Sequence, residues 1–346
     1  MKLLSVAHAV PGRRVDNDQE IAAFCRRNWM WWPLHRLFRK KLQQGFKLSG
    51  TRYRYRRAPG ETASAIACRA AREALDKAGL APGDIDMLIY VGVGRGVLEP
   101  ATANLFKSLL GLTNATCFDV LDACASWVRG MSIAQSFINQ GTHKTVLVMN
   151  AELNYEEYCG DHALRRPKDL YFRFAAHTIG EAATATIVRD DGRRDNFYFS
   201  MKNWENTYDL CQIPLPNRDD FAGNYPPRTP QQNMVFVAAS RELLTAAITK
   251  LTEQFKEDPR LNGQIYDLHF CHDVSDYSTK LVAKALNVPL SMVYRTHERF
   301  GNTVSASIPL ALSLALAEGR LKKGMNLLLT CGSAGVTTAY LQFRYD

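Results

Sequence analysis

The chain has 346 residues, 46% hydrophobic and 22% charged, with a formal net charge of +9, enough to bury one large core or two medium ones. No apolar run reaches the ~18 residues a membrane-spanning helix needs, and the eight cysteines form no CxxC pair, so neither a zinc site nor a disulfide framework is expected. Scattered thiols in a chain of this length fit a reducing cytoplasm.

The opening MKLLSVAHAV reads as a first strand; it is too short and interrupted for a signal peptide. The excess charge is local. From Arg26 to Arg57 there are eleven Lys/Arg and no acid, so the remainder sums to about −2. Trp29, Trp31, Trp32, Phe38, Phe46, Tyr53 and Tyr55 are interleaved with these cations. One reading is a helix with a solvated basic face and aromatics packed beneath it. The other is contact with an anionic membrane surface or with an acidic or phosphorylated ligand. No nucleic-acid motif accompanies the segment, so no nucleic-acid partner is expected.

Residues 61–79 carry apolar side chains at helical spacing and end in Gly. Residues 85–93 read as a buried strand, 101–111 as a helix, 117–120 as a strand, 126–140 as a helix stopped by Gly141, and 145–149 and 180–188 as strands. Residues 191–232, polar and rich in Pro, read as loop. The second half replays the order: helix 241–255, strand 265–271, helix 278–286, strand 292–296, helix 305–318 stopped by Gly319, and strands 325–331 and 337–344. IDMLIYV lies against YDLHFCH, and the helix from Cys124 to Gly141 against that from Asn302 to Gly319, its two ends both at an offset of 178. The pattern predicts an α/β protein of two duplicated halves, 1–190 and 191–346, with mainly parallel sheets.

Chemistry is expected where the repeats meet. Cys124 stands between a strand and a helix, where the helix dipole and free N–H groups favour a thiolate. His272 ends a strand. Asn302 follows Gly301 at the position aligned with Cys124. Gly332-Ser333-Ala334-Gly335 is a small-residue loop able to present backbone N–H groups.

With those residues in place the sequence resembles the thiolase superfamily, and ketoacyl-ACP synthase III in particular. FDVLDACASWVRGMSIAQSFINQG resembles the cysteine segment, FCHDVSDYS the histidine segment, RFGNTVSASIPLALSLALAEGRLKKG the asparagine segment, and GSAGVTTAYLQFRY the glycine-rich loop and last strand. Two departures stand out: Asp273-Val274-Ser275 follows the histidine in place of Gln-Ala-Asn, and Ser333-Ala334-Gly335 replaces three glycines. The resemblance implies a thiolase-like fold of five αβαβα layers, usually a homodimer. Cys124 would take an acyl group from a CoA or phosphopantetheine carrier-protein thioester, with no further cofactor and no metal. The N–H groups of Cys124 and Ala334 would hold the oxyanion. His272 and Asn302 would bind the second thioester and stabilise its enolate.

Glu99-Pro100, 25 residues before Cys124, looks like the loop of head-to-head acyl-condensing relatives, the olefin-pathway thiolases and pyrone synthases. There the Glu is a base raised towards neutrality by an apolar pocket; the plainer reading is a solvated loop Glu. Arg52, Arg54, Arg56 and Arg57 are candidates to meet CoA phosphates or an acidic carrier. The alternatives are acyl transfer to an alcohol or amine, and a non-catalytic partner subunit of a heterodimeric ketosynthase.

Overall fold

In the computed structural model the chain is described except at residues 29–31, 161–163, 165–167, 224–226 and 231; the side chain at 32 is likewise not described. Ten strands make the two main sheets. The first contains β1 (Lys2–Ala9), β2 (Met87–Val91), β3 (Thr116–Val120), β4 (Thr145–Glu152) and β5 (Ala182–Arg189), in the order β1-β5-β4-β2-β3. The second contains β6 (Phe197–Asn203), β7 (Leu268–Cys271), β8 (Val293–Tyr294), β9 (Asn326–Ser333) and β10 (Thr337–Arg344), in the order β6-β10-β9-β7-β8. Strand directions repeat as well. β2 runs parallel to β3 and β4, as β7 does to β8 and β9. β5 is antiparallel to β1 and β4, as β10 is to β6 and β9.

Every residue of β2 and of β4 is buried, as strands covered on both faces require. Helices Ser126–Asn139 and Ser307–Ala317 fill the middle layer. Their Trp127, Val128, Met131, Ile308 and Leu312 share one core with Ile89 and Val148 of the first sheet and Phe270 and Leu329 of the second. Helices Ala63–Ala78 and Thr102–Leu110 cover the outer face of the first sheet, and Ser240–Glu257 that of the second. The result is the five-layer αβαβα arrangement. Among the described residues, no helix is long and apolar enough to cross a membrane.

Three expectations change. β6 lies in the region read as loop; its Phe197, Phe199 and Met201 alternate towards the central core, a short strand signal set among polar and Pro-rich residues. The repeat alignment shifts at the site. Ala123 (φ 43°) and Val304 (φ 52°) open equivalent turns, 123–125 and 304–306, each leading into a middle-layer helix. Cys124 therefore stands opposite Ser305, and Asn302 lies three residues ahead of that position. The Gly141 and Gly319 stops keep the 178 offset because the second helix has 11 residues against 14. The basic segment is two helices, not one. Asn17–Arg27 is closed by an Asp16–Gln19 capping box, and Trp32–Ser49 leads to a short strand, Tyr53–Arg56, paired with Arg13–Asp16. Phe38, Leu42 and Phe46 pack under its cations against Ile21 and Phe24. Trp29 and Trp31, and the side chain of Trp32, lie outside the described residues.

Candidate active site

Cys124 sits in the turn Ala123–Ala125, at the start of the middle-layer helix Ser126–Asn139. The turn is tied to the second half by Ser333. The Ala125 N–H donates to Ser333 Oγ (3.2 Å), and the Ser333 hydroxyl donates to the Asp122 carbonyl (3.0 Å). Asp122 also holds Arg129 Nε at 2.9 Å and accepts from the Thr337 hydroxyl at 3.1 Å. The residue keeps partial exposure, but its sulfur is enclosed. Burial pushes the thiol well above its ordinary value, and Cys211 and Glu152 add to the push. The polar groups of Ser333 and Ala334 oppose it. The helix start was expected to favour a thiolate; in the resting chain desolvation outweighs it.

His272 follows β7, and its N–H donates to the Thr330 carbonyl at 2.8 Å. Its Nδ1 lies 2.9 Å from Ser307 Oγ, and Nε2 has no protein partner among the described residues. Burial, with a smaller effect of His297, lowers the imidazole to about 4, so it is neutral at pH 7. Asp273 accepts from the N–H groups of Thr296 (2.8 Å) and His297 (2.9 Å) and from the Thr279 hydroxyl (2.7 Å). That carboxylate anchors the segment leading to Asn302.

Asn302 is fixed by its backbone. Its N–H donates to the Thr178 carbonyl, and its carbonyl accepts from the Gly180 N–H, both at 2.8 Å. Gly301 makes this approach possible. Its φ is +70°, and a Cβ there would stand 2.4 Å from the Thr178 oxygen. The Asn302 Oδ1 accepts from the Val304 N–H at 2.9 Å, leaving Nδ2 without a protein partner among the described residues. The turn Val304–Ala306 packs on the Cys124 turn, so both halves meet at this point.

Glu152, at the end of β4, is a site residue that sequence reasoning missed. Buried, it accepts from the N–H groups of Val93 (3.1 Å) and Gly94 (3.0 Å) and from the Ser305 hydroxyl (2.5 Å). Burial raises its carboxyl. The available signal was a charged residue closing an otherwise apolar strand.

The remaining expected residues lie elsewhere. Glu99 is exposed, on a loop whose Val97 and Leu98 are 52% and 73% exposed, so within one chain no apolar pocket surrounds it. Of the four arginines, Arg52 is exposed and pairs with Glu298 at 3.0 Å. Arg57 pairs with Glu157 at 2.6 Å. Arg54 and Arg56 are buried: Arg54 donates to Asn17 Oδ1 and stacks over Phe46, while Arg56 lies 3.4 Å over the Tyr155 ring. The four do not form one exposed patch: alternation within Tyr53–Arg56 turns 54 and 56 into the interior, while Arg52, ahead of that strand, is exposed and Arg57, after it, is half-buried.

Residues 118–203 match the family model for 3-oxoacyl-[acyl-carrier-protein (ACP)] synthase III, and residues 258–345 that for its C-terminal part. A β-ketoacyl-[acyl-carrier-protein] synthase III of Pseudoalteromonas atlantica is 30% identical over 82% of this chain and 85% of its own. The chain belongs to the ketoacyl synthase III family. Another family member, from Symbiobacterium thermophilum, is 30% identical over 86% of this chain and 88% of its own. In fold, the chain matches the synthase III of Aquifex aeolicus with a TM-score of 0.79 at 24% identity, covering 99% of each chain. It matches cerulenin-bound OleA of Xanthomonas campestris with a TM-score of 0.84 at 23% identity, covering 99% of this chain and 96% of that one. Membership makes this synthase III relative a condensing, acyl-transferring enzyme of fatty-acid type.

Proposed function

We propose that this chain loads an acyl group onto Cys124 and condenses it with a second CoA or carrier-protein thioester to give a β-keto product. The observation that carries the reading is the Cys124 turn held between the two halves, tied to Ser333 through the Ala125 N–H and packed on the turn Val304–Ala306 that follows Asn302. In the first step the thiol gives up its proton as the sulfur attacks the acyl carbonyl. The Cys124 and Ala334 N–H groups hold the oxyanion, each such donor being worth about 3 kcal/mol. The original thiol leaves with a proton. In the second step the second thioester loses a proton, or CO2, from its α-carbon. His272 Nε2–H, set by Ser307 donating to Nδ1, and Asn302 Nδ2 donate to its oxygen. The enolate carbon then attacks the acyl carbonyl, and the Cys124 sulfur leaves as the new carbon–carbon bond forms.

Glu99 is assigned as the base of a non-decarboxylative, head-to-head version. Its exposed apolar loop fits a second copy of the chain, as does the edge strand β3, which pairs on one side only. The likeness to OleA, one structure of which holds lauric acid and lauroyl-CoA, supports a long acyl chain. The test is intact-protein mass spectrometry after incubation with a panel of acyl-CoAs. Acyl mass gained by the wild type and absent from Cys124→Ala is expected; equal loading of that variant refutes the reading.

A further inference from the structure

A cavity of about 420 Å3, in the size range of small-ligand sites, lies between the strand Arg13–Asp16, the helix Asn17–Arg27 and the segment at Tyr155. Arg13, Arg14, Arg26, Arg27 and Arg56 line it, against only two carboxylates, Glu20 and Glu156. That leaves an excess of three positive charges in a concave wall, where the field is focused. The carboxylates do not quench it. Glu156 serves Arg27 at 3.0 Å and Arg13 at 3.9 Å, and Glu20 Oε2 stays 3.7 Å from Arg56 Nη2. Arg14 lies over the Tyr53 ring at 4.5 Å and, like Arg26, has no carboxylate partner among the described residues. At the floor, Arg56 is 2% exposed, yet its Nε and Nη2 make no hydrogen bond. Buried guanidinium donors left unmatched are costly, and a ligand that accepts from them removes the cost. None of these residues hydrogen-bonds Cys124, His272 or Asn302.

We propose that this cavity binds a small ligand carrying two adjoining phosphate groups. A diphosphate offers acceptors to several planar guanidinium forks at once and cancels the excess charge, which one carboxylate cannot do. The two sources of that chemistry are a free diphosphate and the diphosphate of a nucleotide or of CoA. The test is isothermal titration of the full chain with inorganic pyrophosphate, at low and at raised salt. Saturable binding is expected, weakened by salt and weakened about tenfold or more in Arg14→Glu/Arg26→Glu. Both side chains are exposed, and circular dichroism checks that the variant is folded. Displacement of pyrophosphate by ADP or CoA assigns the site to a nucleotide-borne diphosphate, and its absence assigns it to the free one. No saturable binding at millimolar pyrophosphate, or equal binding by the folded double variant, overturns the proposal. The measurement uses no acyl thioester, so its failure leaves the Cys124 chemistry untouched.

Discussion

Ser333, at the end of β9 in the second sheet, accepts the N–H of Ala125, the residue after Cys124 in the first half, at 3.2 Å. One hydroxyl thus sets the distance between the nucleophile's turn and the loop that supplies the Ala334 N–H. Ser333→Ala removes the hydroxyl bridge to the Ala125 N–H and the Asp122 carbonyl, while the Ala125 N–H keeps the Asp122 carbonyl at 2.9 Å, so the expected cost is about 1 kcal/mol. Urea unfolding is expected to show that loss, and acyl loading of Cys124 to slow with it. A folded variant with wild-type loading would separate the tie from the chemistry.

Glu99→Gln removes the carboxylate proposed as the base and leaves the Cys124 turn unchanged. Acylation of Cys124 is expected to stay within about twofold, and condensed product to fall about 100-fold. Mass spectrometry of the protein and of the extract reads both. Unchanged product removes Glu99 from the mechanism.

Arg52 and Arg56 are expected to part company. Arg52 is exposed beside Glu298, and Arg52→Ala is expected to shift stability by about 0.5 kcal/mol or less. Arg56→Ala strands the buried Glu20, which Arg56 and His177 hold down to an ionised state, and is expected to cost about 3 kcal/mol or more. Urea midpoints of the two variants measure the contrast.

His269 is 0% exposed, and burial lowers it from 6.5 to about 4. The unfolded chain therefore binds more protons than the folded one between those values. Its contribution is complete above pH 6.5 and is lost as pH falls towards 4. At pH 5 the loss from this residue is roughly 2 kcal/mol. Urea midpoints at pH 7.5 and pH 5 are expected to differ accordingly, and His269→Gln to narrow the gap.

Most elements were legible because their burial is periodic: β2 and β4 are apolar throughout, and the middle-layer helices end at glycines that any reader can see. The errors share a physical cause. The left-handed turns at Ala123 and Val304 carry no glycine, so nothing in the letters marks where the repeat shifts, and Asn302 was aligned with Cys124 in place of Ser305. β6 carries Phe197, Phe199 and Met201 at alternate positions, but this short signal stands among the polar, Pro-rich residues of 191–232. The burial of Arg54 and Arg56 was not legible because charge suggests surface, and their partners, Asn17 and Glu20, are distant in sequence. Cys124, His272 and Asn302 were recognisable from their segments, while Glu152, Ser305 and Ser333 act by bridging the halves, a relation visible only after folding.

The enclosed, protonated sulfur of Cys124 also bears on chemical durability. Peroxide and alkylating agents attack the anion, so an unoccupied enzyme presents them with a poor target. An enclosed thiol of this kind is a slow target, and slow alkylation of Cys124 by iodoacetamide in the folded chain is the corresponding expectation.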